Sequence, residues 1–587
     1  MYIHTNSKID EFMSVISTKV HWQLRLKEFV PKLVTCLKEG YTLKTLAHDL
    51  SAGITIGIIS LPLAMAFAIA SGLSPEKGLF TSIIAGFLIS LLGGSRVQIG
   101  GPTGAFVVVV LDIVNRTGYE GLAIATVLGG FLLILMSIFR FGAFLKFIPY
   151  PVITGLTAAI AVVLFTSQMN DFFGLSIAAS STDFFGKWQL VINNITTLNQ
   201  WALGIGLFTI FTILFFRRYF PRIPGAIIAV ILCSIAVYLL DLPAETIHTK
   251  FGVIPSVLPA PSFPNFSLAN VRLLMPDAIT IAVLAGLESL LSAAVADGMT
   301  GYRHKSNCEL MGQGIANIFS IVFGGIPATG AIARTATNVR MGAKTPVAGI
   351  IHAVTLFFIM LFFANGAATI PLAVLAGILI VISWNMAEVG HIIEIFKGPV
   401  GDTLLMLVTF AVAILIDITV GVEIGILLAA LFFMKRMADA TNLTRKVLTG
   451  SLFENSEQKD PDALFKKEIP EGVEVIQING PLFFGAADVL SEALRYDRKD
   501  IKIIVLRMSH VPVIDMTGLR SLQLFYERCL EKEITLYLSG INQKVLLALQ
   551  KIGLYELIGE EHCFAHIDDA LLFAQKKLEA ENKSAVL

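Results

Sequence analysis

Long apolar runs, punctuated by Gly, Pro and small charged clusters, fill the chain from about 50 to 434. They fall at about 50–70, 78–93, 103–115, 121–139, 148–168, 200–216 and 224–240, and again at about 277–297, 309–323, 330–340, 347–364, 370–385, 401–417 and 420–434. A membrane-spanning helix needs about 20 apolar residues. Several segments fall short of that, and 103–115 and 330–340 are the shortest. Each of these two follows a Gly/Pro break, so the pattern predicts two half-helices that start inside the bilayer. Beyond a polar linker at about 441–468 the period changes. Apolar runs at 473–479, 501–507 and 534–539 predict strands, and amphipathic patterns at about 486–496, 517–531, 542–552 and 567–580 predict helices. Their alternation indicates a small α/β domain with a mostly parallel sheet.

The apolar region states one motif twice. Gly100-Gly101-Pro102-Thr103-Gly104-Ala105-Phe106 is echoed by Gly325-Ile326-Pro327-Ala328-Thr329-Gly330-Ala331-Ile332. Ala70-Ser71-Gly72-Leu73-Ser74 is echoed by Ala296-Asp297-Gly298-Met299-Thr300, and the interval from Gly72 to Gly104 equals that from Gly298 to Gly330. Register-matched Gly/Pro breaks in two halves of an apolar chain point to a transporter's internal repeat and to its substrate site. Seven segments per half is odd, so the two copies insert with opposite topology.

Composition agrees with a polytopic membrane protein. The 587 residues are 55% hydrophobic and 15% charged, against about 25% charged in a soluble domain. With the N-terminus inside, inner loops carry Arg140, Lys146, Arg217, Arg218, Arg222, Arg303, Lys305, Arg340, Lys344 and Lys397. Outer loops carry fewer basic residues: Lys77, Arg116, Lys187, Lys250 and Arg272. That asymmetry follows the positive-inside rule and places both termini in the cytoplasm. No secretory h-region precedes the first span. The five cysteines show no metal-like spacing and read as unpaired thiols. No nucleotide loop, metal cluster or nucleophile–base pair is visible, so neither an enzyme, a cofactor nor a nucleic-acid partner is expected.

The chemistry concentrates at the two breaks. Opposed helix N-termini present unpaired N–H groups and about half a positive charge each, which makes an anion site where they face a cavity. Gly104 and Gly330 permit close backbone approach, and Thr103 and Thr329 offer hydroxyls or act as N-caps. Arg334 lies one turn past Thr329. A charge at membrane depth costs about 2.5–3.5 kcal/mol on insertion scales. Arg334 therefore either supplies positive potential to a substrate or ties two helices together in a salt bridge. Glu288 sits mid-span, where Pro62 holds the equivalent place in the first repeat. Three roles stay open for Glu288: proton carrier, cation ligand together with Ser292 one turn on, or permanent partner of Arg334. Asp112, Asp417 and Glu423 lie near span ends and read as solvated. Phe67 is either a cavity-wall aromatic or plain packing.

These motifs, with Leu61-Pro62-Leu63-Ala64-Met65-Ala66-Phe67, Ser95-Arg96-Val97-Gln98-Ile99 and Gly312-Gln313-Gly314-Ile315-Ala316-Asn317, resemble the SulP anion transporters, relatives of animal sulfate, chloride and bicarbonate exchangers. The resemblance implies fourteen transmembrane segments as a seven-plus-seven inverted repeat, divided into a core (spans 1–4 and 8–11) and a gate (5–7 and 12–14). It also implies a homodimer and elevator-like movement of the core. Carried over by position, it places the anion among Phe67, Thr103, Gly104, Ala105, Ala331, Ile332, Ala333 and Arg334. The repeat itself adds Thr329 and Gly330 to that set. Sodium-driven bicarbonate members carry Asp, Thr and Thr where this chain has Glu288, Ser292 and Ile332. Losing oxygen ligands at two places favours protons over sodium.

The C-terminal part resembles the STAS domain. The phosphorylatable Ser that usually follows the Asp of Ile514-Asp515 is Met516 here, and Thr517 reads as a helix N-cap. A role in docking a cytosolic protein partner is expected. The expected organisation is 1–48, a cytosolic segment; 49–436, the transport domain, with repeats at about 49–240 and 276–436; 437–468, a linker; and 469–582, the STAS domain. The functional expectation is a proton-coupled carrier of a small anion (sulfate, bicarbonate or dicarboxylate) in a bacterial inner membrane. The alternatives are an uncoupled exchanger or channel, a sodium-coupled bicarbonate symporter, and a sensor that reports anion occupancy to the STAS domain. A nucleobase carrier can share the architecture, but Arg334 at the helix start favours anions.

Overall fold

Prolines and glycines set many helix boundaries. The computed structural model describes residues 28–143, 149–177, 184–220, 224–416, 418–439, 442–446, 469–483 and 501–585. In the apolar unit, α1 (Leu43–Ala70) starts at Thr42, whose side chain accepts the Thr45 N–H, and α2 (Pro75–Leu92) opens on a proline whose missing N–H is no loss there. Helix α3 (Gly104–Ile138) is broken at Gly118, which has φ 72° and ψ −175°. The expected segments 103–115 and 121–139 are thus its two pieces, joined by one left-handed-region glycine.

The first half continues with α4 (Tyr150–Phe173), α5 (Gln200–Tyr219) and α6 (Gly225–Leu239). The second comprises α7 (Leu268–Thr300), α8 (Ser306–Val322), α9 (Ile332–Arg340), α10 (Val347–Ala368), α11 (Leu372–Met386), α12 (Val400–Leu415) and α13 (Ile418–Asp439). Counted across the break in α3, these helices account for all fourteen apolar segments read from the sequence. Among the described residues, nine helices are long and apolar enough to cross a membrane by length and composition. The nine-residue α9 is far too short to do so.

Two groups of helices emerge from the packing. Helices α1, α2, α3, α7, α8 and α10 pack on one another, while α4 packs on α11 and α12, and α5 on α6 and α11. Small residues allow the close crossings that membrane helices need. A Cβ on Gly78 of α2 would lie 1.9 Å from the Ala64 carbonyl oxygen of α1. The crossing of these two helices therefore requires glycine.

The second compact unit, Ala430–Leu587, holds a five-stranded sheet whose strands neighbour one another in chain order. Its strands are β3 (Asn442–Lys446), β4 (Val473–Asn479), β5 (Ile503–His510), β6 (Thr535–Ser539) and β7 (Cys563–Phe564). Only the β3–β4 pairing is antiparallel. Strand β3 lies in the stretch expected as polar linker. Helices α14 (Met516–Glu531), α15 (Gln543–Lys551), α16 (Leu554–Ile558) and α17 (Ile567–Ala585) accompany the sheet. The expected helix at 486–496 lies outside the described residues. Thr517 is not the cap of α14: Asp515 is, accepting the Gly518 N–H at 2.7 Å, and Thr517 is exposed in the first turn. Asp515 is the extended residue just before the helix, where a side-chain oxygen can reach the free Gly518 N–H, whereas Thr517 already lies within the helix.

Replacing Gly78 with Ala should lower the melting temperature of the detergent-purified protein, with a loss of about 1–3 kcal/mol from overpacking. Gly204→Ala on α5, where an added Cβ meets nothing within 4 Å, should be neutral or slightly stabilising. Equal melting shifts in the two variants would contradict the packing account. In the sheet unit, burial pushes the Cys529 thiol up to about 12 and leaves it with no exposed surface. At pH 8 almost none of it is thiolate. A full-length variant keeping Cys529 as its single cysteine should resist maleimide until denaturant is added; rapid native labelling would refute the burial.

Candidate functional site

The two echoed motifs meet in space. Gly100–Gly101 (β1) pairs antiparallel with Thr329–Gly330 (β2), Gly100 opposite Gly330 and Gly101 opposite Thr329. The Ala331 N–H extends the contact by donating to the Ile99 carbonyl at 2.8 Å. This pairing draws the starts of α3 and α9 together. Glycine is needed on both strands: a Cβ on Gly101, whose φ is 152°, would lie 2.7 Å from Arg334 Nη1, and one on Gly330 would overlap the Gln98 amide.

Neighbouring helices clamp the pair. Thr329 Oγ1 donates to the Ala285 carbonyl of α7 at 3.0 Å and lies 2.8 Å from Ser289 Oγ, which also accepts the Gly330 N–H. Ser292 Oγ donates to Thr335 Oγ1 at 3.0 Å, and Thr335 Oγ1 accepts the Ile99 N–H. On α8, the Asn317 amide receives the Ala328 N–H and donates to the Ala328 carbonyl. Buried backbone outside regular structure is thereby satisfied by side chains, the only solution where water is scarce. Ser289, Asn317 and Thr335 acquire this role from tertiary contact alone; in sequence they are ordinary small polar residues on apolar helices.

These clamps alter two expectations. Thr329 does not cap the second half-helix, because its hydroxyl is held by α7 and its backbone is extended for pairing. Helix α9 starts at Ile332, with Ala331 as N-cap. Thr103 occupies the N-cap of α3, yet its side chain makes no capping bond and instead donates to Glu288 Oε2 at 2.9 Å.

The remaining expected residues gather around the two tips. Gly104 and Ala105 form the buried first turn of α3, and Phe67 of α1 lies beside them, since a Cβ on Gly104 would be 3.5 Å from its ring. At the other tip Ala331 is buried, while Ile332 and Ala333 are exposed. Arg334 is buried, with its guanidinium carbon 5.9 Å from the Phe67 ring centroid. Its Nη2 reaches across to the Pro102 carbonyl at 2.6 Å, and its Nη1 makes no hydrogen bond to a protein atom among the described residues. Glu288 and Arg334 therefore grip successive residues, Thr103 and Pro102, at the start of α3 and do not pair with each other. Ser292 is turned to Thr335 and gives Glu288 no second oxygen.

Of the three acidic residues placed near span ends, Glu423 is exposed and Asp417 lies outside the described residues. Asp112 departs from a simply solvated group. It shares Arg116 with Asp277, both at 2.8 Å, so it anchors α3 to α7. Among the described residues no three His, Cys, Asp or Glu side chains are grouped to hold a metal ion.

Two short strands, two helix tips and one arginine thus meet in the apolar unit. The Sulfate permease family model matches residues 46–409, and the STAS domain model matches 465–570. A putative sulfate transporter of Bacillus subtilis, YvdB, is 40% identical over 533 residues, covering 90% of this chain and 98% of the relative. The bicarbonate transporter BicA of a Picosynechococcus species is 29% identical over 546 residues, covering 90% and 94%. The murine solute carrier 26 family member A9 anion transporter, solved in an inward-facing state, superposes with a TM-score of 0.82 over 93% of this chain and 94% of its own. At 19% identity, that last likeness carries the fold alone. The chain belongs to the sulfate permease family of anion transporters, as a multi-pass membrane protein with a C-terminal STAS domain.

Proposed function

We propose that this chain is a proton-coupled carrier of a small oxyanion, with the anion seated against the first amides of α3 and α9 beside Arg334. The observation that carries this reading is the β1–β2 pairing, which sets two helix N-termini and one guanidinium around the same point. Helix tips and a guanidinium are donor-only partners, suited to a ligand that only accepts. Exposure of Ile332 and Ala333 leaves the α9 tip open to an entering solute. Relatives named as a putative sulfate transporter and a bicarbonate transporter support a ligand of that class.

Glu288 is the proposed proton carrier. Ionised, it accepts from Thr103 at the α3 cap. Neutral, it leaves the neighbourhood of the tips more positive, so proton and anion binding favour each other. Sodium is disfavoured because Ser292 is engaged with Thr335 and Ile332 offers no oxygen. The proposed cycle moves α1–α3 and α7–α10 as a core against the remaining helices, elevator-fashion. Both termini are proposed to be cytoplasmic, in the plasma membrane of a bacterium, with a homodimer as the assembly. The STAS domain, its usual phosphoacceptor replaced by Met516, is proposed to dock a cytosolic partner.

In proteoliposomes, uptake of labelled sulfate or bicarbonate should rise under an inward proton gradient, and a sodium gradient should not replace it. Glu288→Gln should abolish the proton stimulation while retaining exchange. Stimulation by sodium alone, or full proton stimulation in Glu288→Gln, would contradict the coupling. Arg334→Gln removes a charge-assisted hydrogen bond worth about 1.5–3 kcal/mol, so the anion's KM should rise by about 10-fold or more. An unchanged KM in Arg334→Gln would contradict the site.

A further inference from the structure

Behind the strand pair, four buried side chains leave six polar atoms without a hydrogen bond to any protein atom among the described residues. They are Ser82 Oγ on α2, both amide atoms of Gln98, Nη1 of Arg334, and both ring nitrogens of His352 on α10. Ser82 and His352 are 0% exposed, Gln98 3% and Arg334 5%. Unpartnered buried groups are rare and usually scattered. All four side chains lie around the β1–β2 pair. A Cβ on Gly101 would lie 2.7 Å from Arg334 Nη1 and 3.3 Å from Ser82 Oγ. A Cβ on Gly86 of α2 would lie 3.1 Å from the Gly100 carbonyl and 3.5 Å from His352 Cε1. The Gln98 amide lies against Gly330, the strand partner of Gly100.

The inventory is complementary. Guanidinium only donates, imidazole donates once and accepts once, and amide and hydroxyl do both. Among the described residues no carboxylate forms an ion pair with Arg334, so nothing acidic there competes for Nη1. Water donates twice and accepts twice, so at least two molecules are needed to meet all six atoms, and buried water plays this part in most proteins.

We propose that the space bounded by α2, α10 and the back of the β1–β2 pair is a hydrated pocket, and that Gln98 and His352 are positioning residues acting through its water on Arg334. With Nη2 fixed on Pro102, water bridged to Gln98 and His352 fixes Nη1, so the guanidinium plane is set before an anion arrives. The inference rests on the reading that Arg334 acts on the anion. It adds the groups that orient it.

Two measurements test it on the full-length protein. An experimental map at a resolution that resolves water should show density bridging Arg334 Nη1 to His352 and Gln98; a continuous dry apolar space there would overturn the proposal without reference to transport. In proteoliposomes, with labelled sulfate and labelled bicarbonate as probes, His352→Leu and Gln98→Leu should each raise KM about tenfold with a maximal rate changed less than about threefold. His352→Gln, which keeps a donor and an acceptor, should restore KM. If Arg334→Gln raises KM while both leucine variants leave it unchanged, the pocket proposal fails and the anion site stands. If Arg334→Gln leaves KM unchanged, the anion-site reading fails instead, and the map alone decides the pocket. A higher melting temperature for His352→Leu, the signature of an apolar group entering a dry site, would also overturn the proposal.

Discussion

A two-residue antiparallel pairing, Gly100–Gly101 against Thr329–Gly330, is the constraint on which the rest of the membrane unit depends. It joins segments that are far apart in sequence and fixes where α3 and α9 begin. Open strand inside an apolar bundle is costly unless every backbone group finds a partner. That requirement explains the small polar residues at the sites facing it: Ser289 and Ser292 on α7, Asn317 on α8, and Thr335 on α9. It also explains why Gly101 and Gly330 carry no side chain, since Arg334 and Gln98 occupy the space a methyl group would take.

The same constraint organises the charges. Arg334 belongs to the second repeat but holds Pro102 of the first, and Glu288 belongs to the second repeat but holds Thr103 of the first. Each charged group thus reaches across the pair to the start of α3. A displacement of that start is felt by both. Phe67 closes the apolar side, lying beside Gly104 and facing the guanidinium. One tip is buried and the other exposed, an asymmetry that the two near-identical motifs alone do not display.

Much of this was legible in the chain because broken helices leave a mark. Gly and Pro at matching places in two apolar halves announced the two tips, and the polar gap around Gly118 announced the break in α3. The start of α9 was read two residues early, since helix propensity says nothing about an extended partner claiming Thr329 and Gly330. Strand β3 was read as linker: Asn442-Leu443-Thr444-Arg445-Lys446 has little apolar pattern, and its pairing with β4 comes from an edge that accepts almost any sequence. Asp112 looked solvated because Asp277, its co-holder of Arg116, lies more than a hundred residues away. The placement of Gln98 and His352 beside the strand pair was invisible for the same reason: it is a matter of tertiary proximity.

The account stands or falls on where an anion rests. Selenate has the charge and shape of sulfate and scatters anomalously, so crystals of the purified protein equilibrated with it locate the anion without assumption. The account predicts one peak within hydrogen-bond reach of the first amides of α3 and α9 and of Arg334, lost on Arg334→Gln. A saturated peak elsewhere in the bundle, with the space between the two helix tips empty, would contradict it.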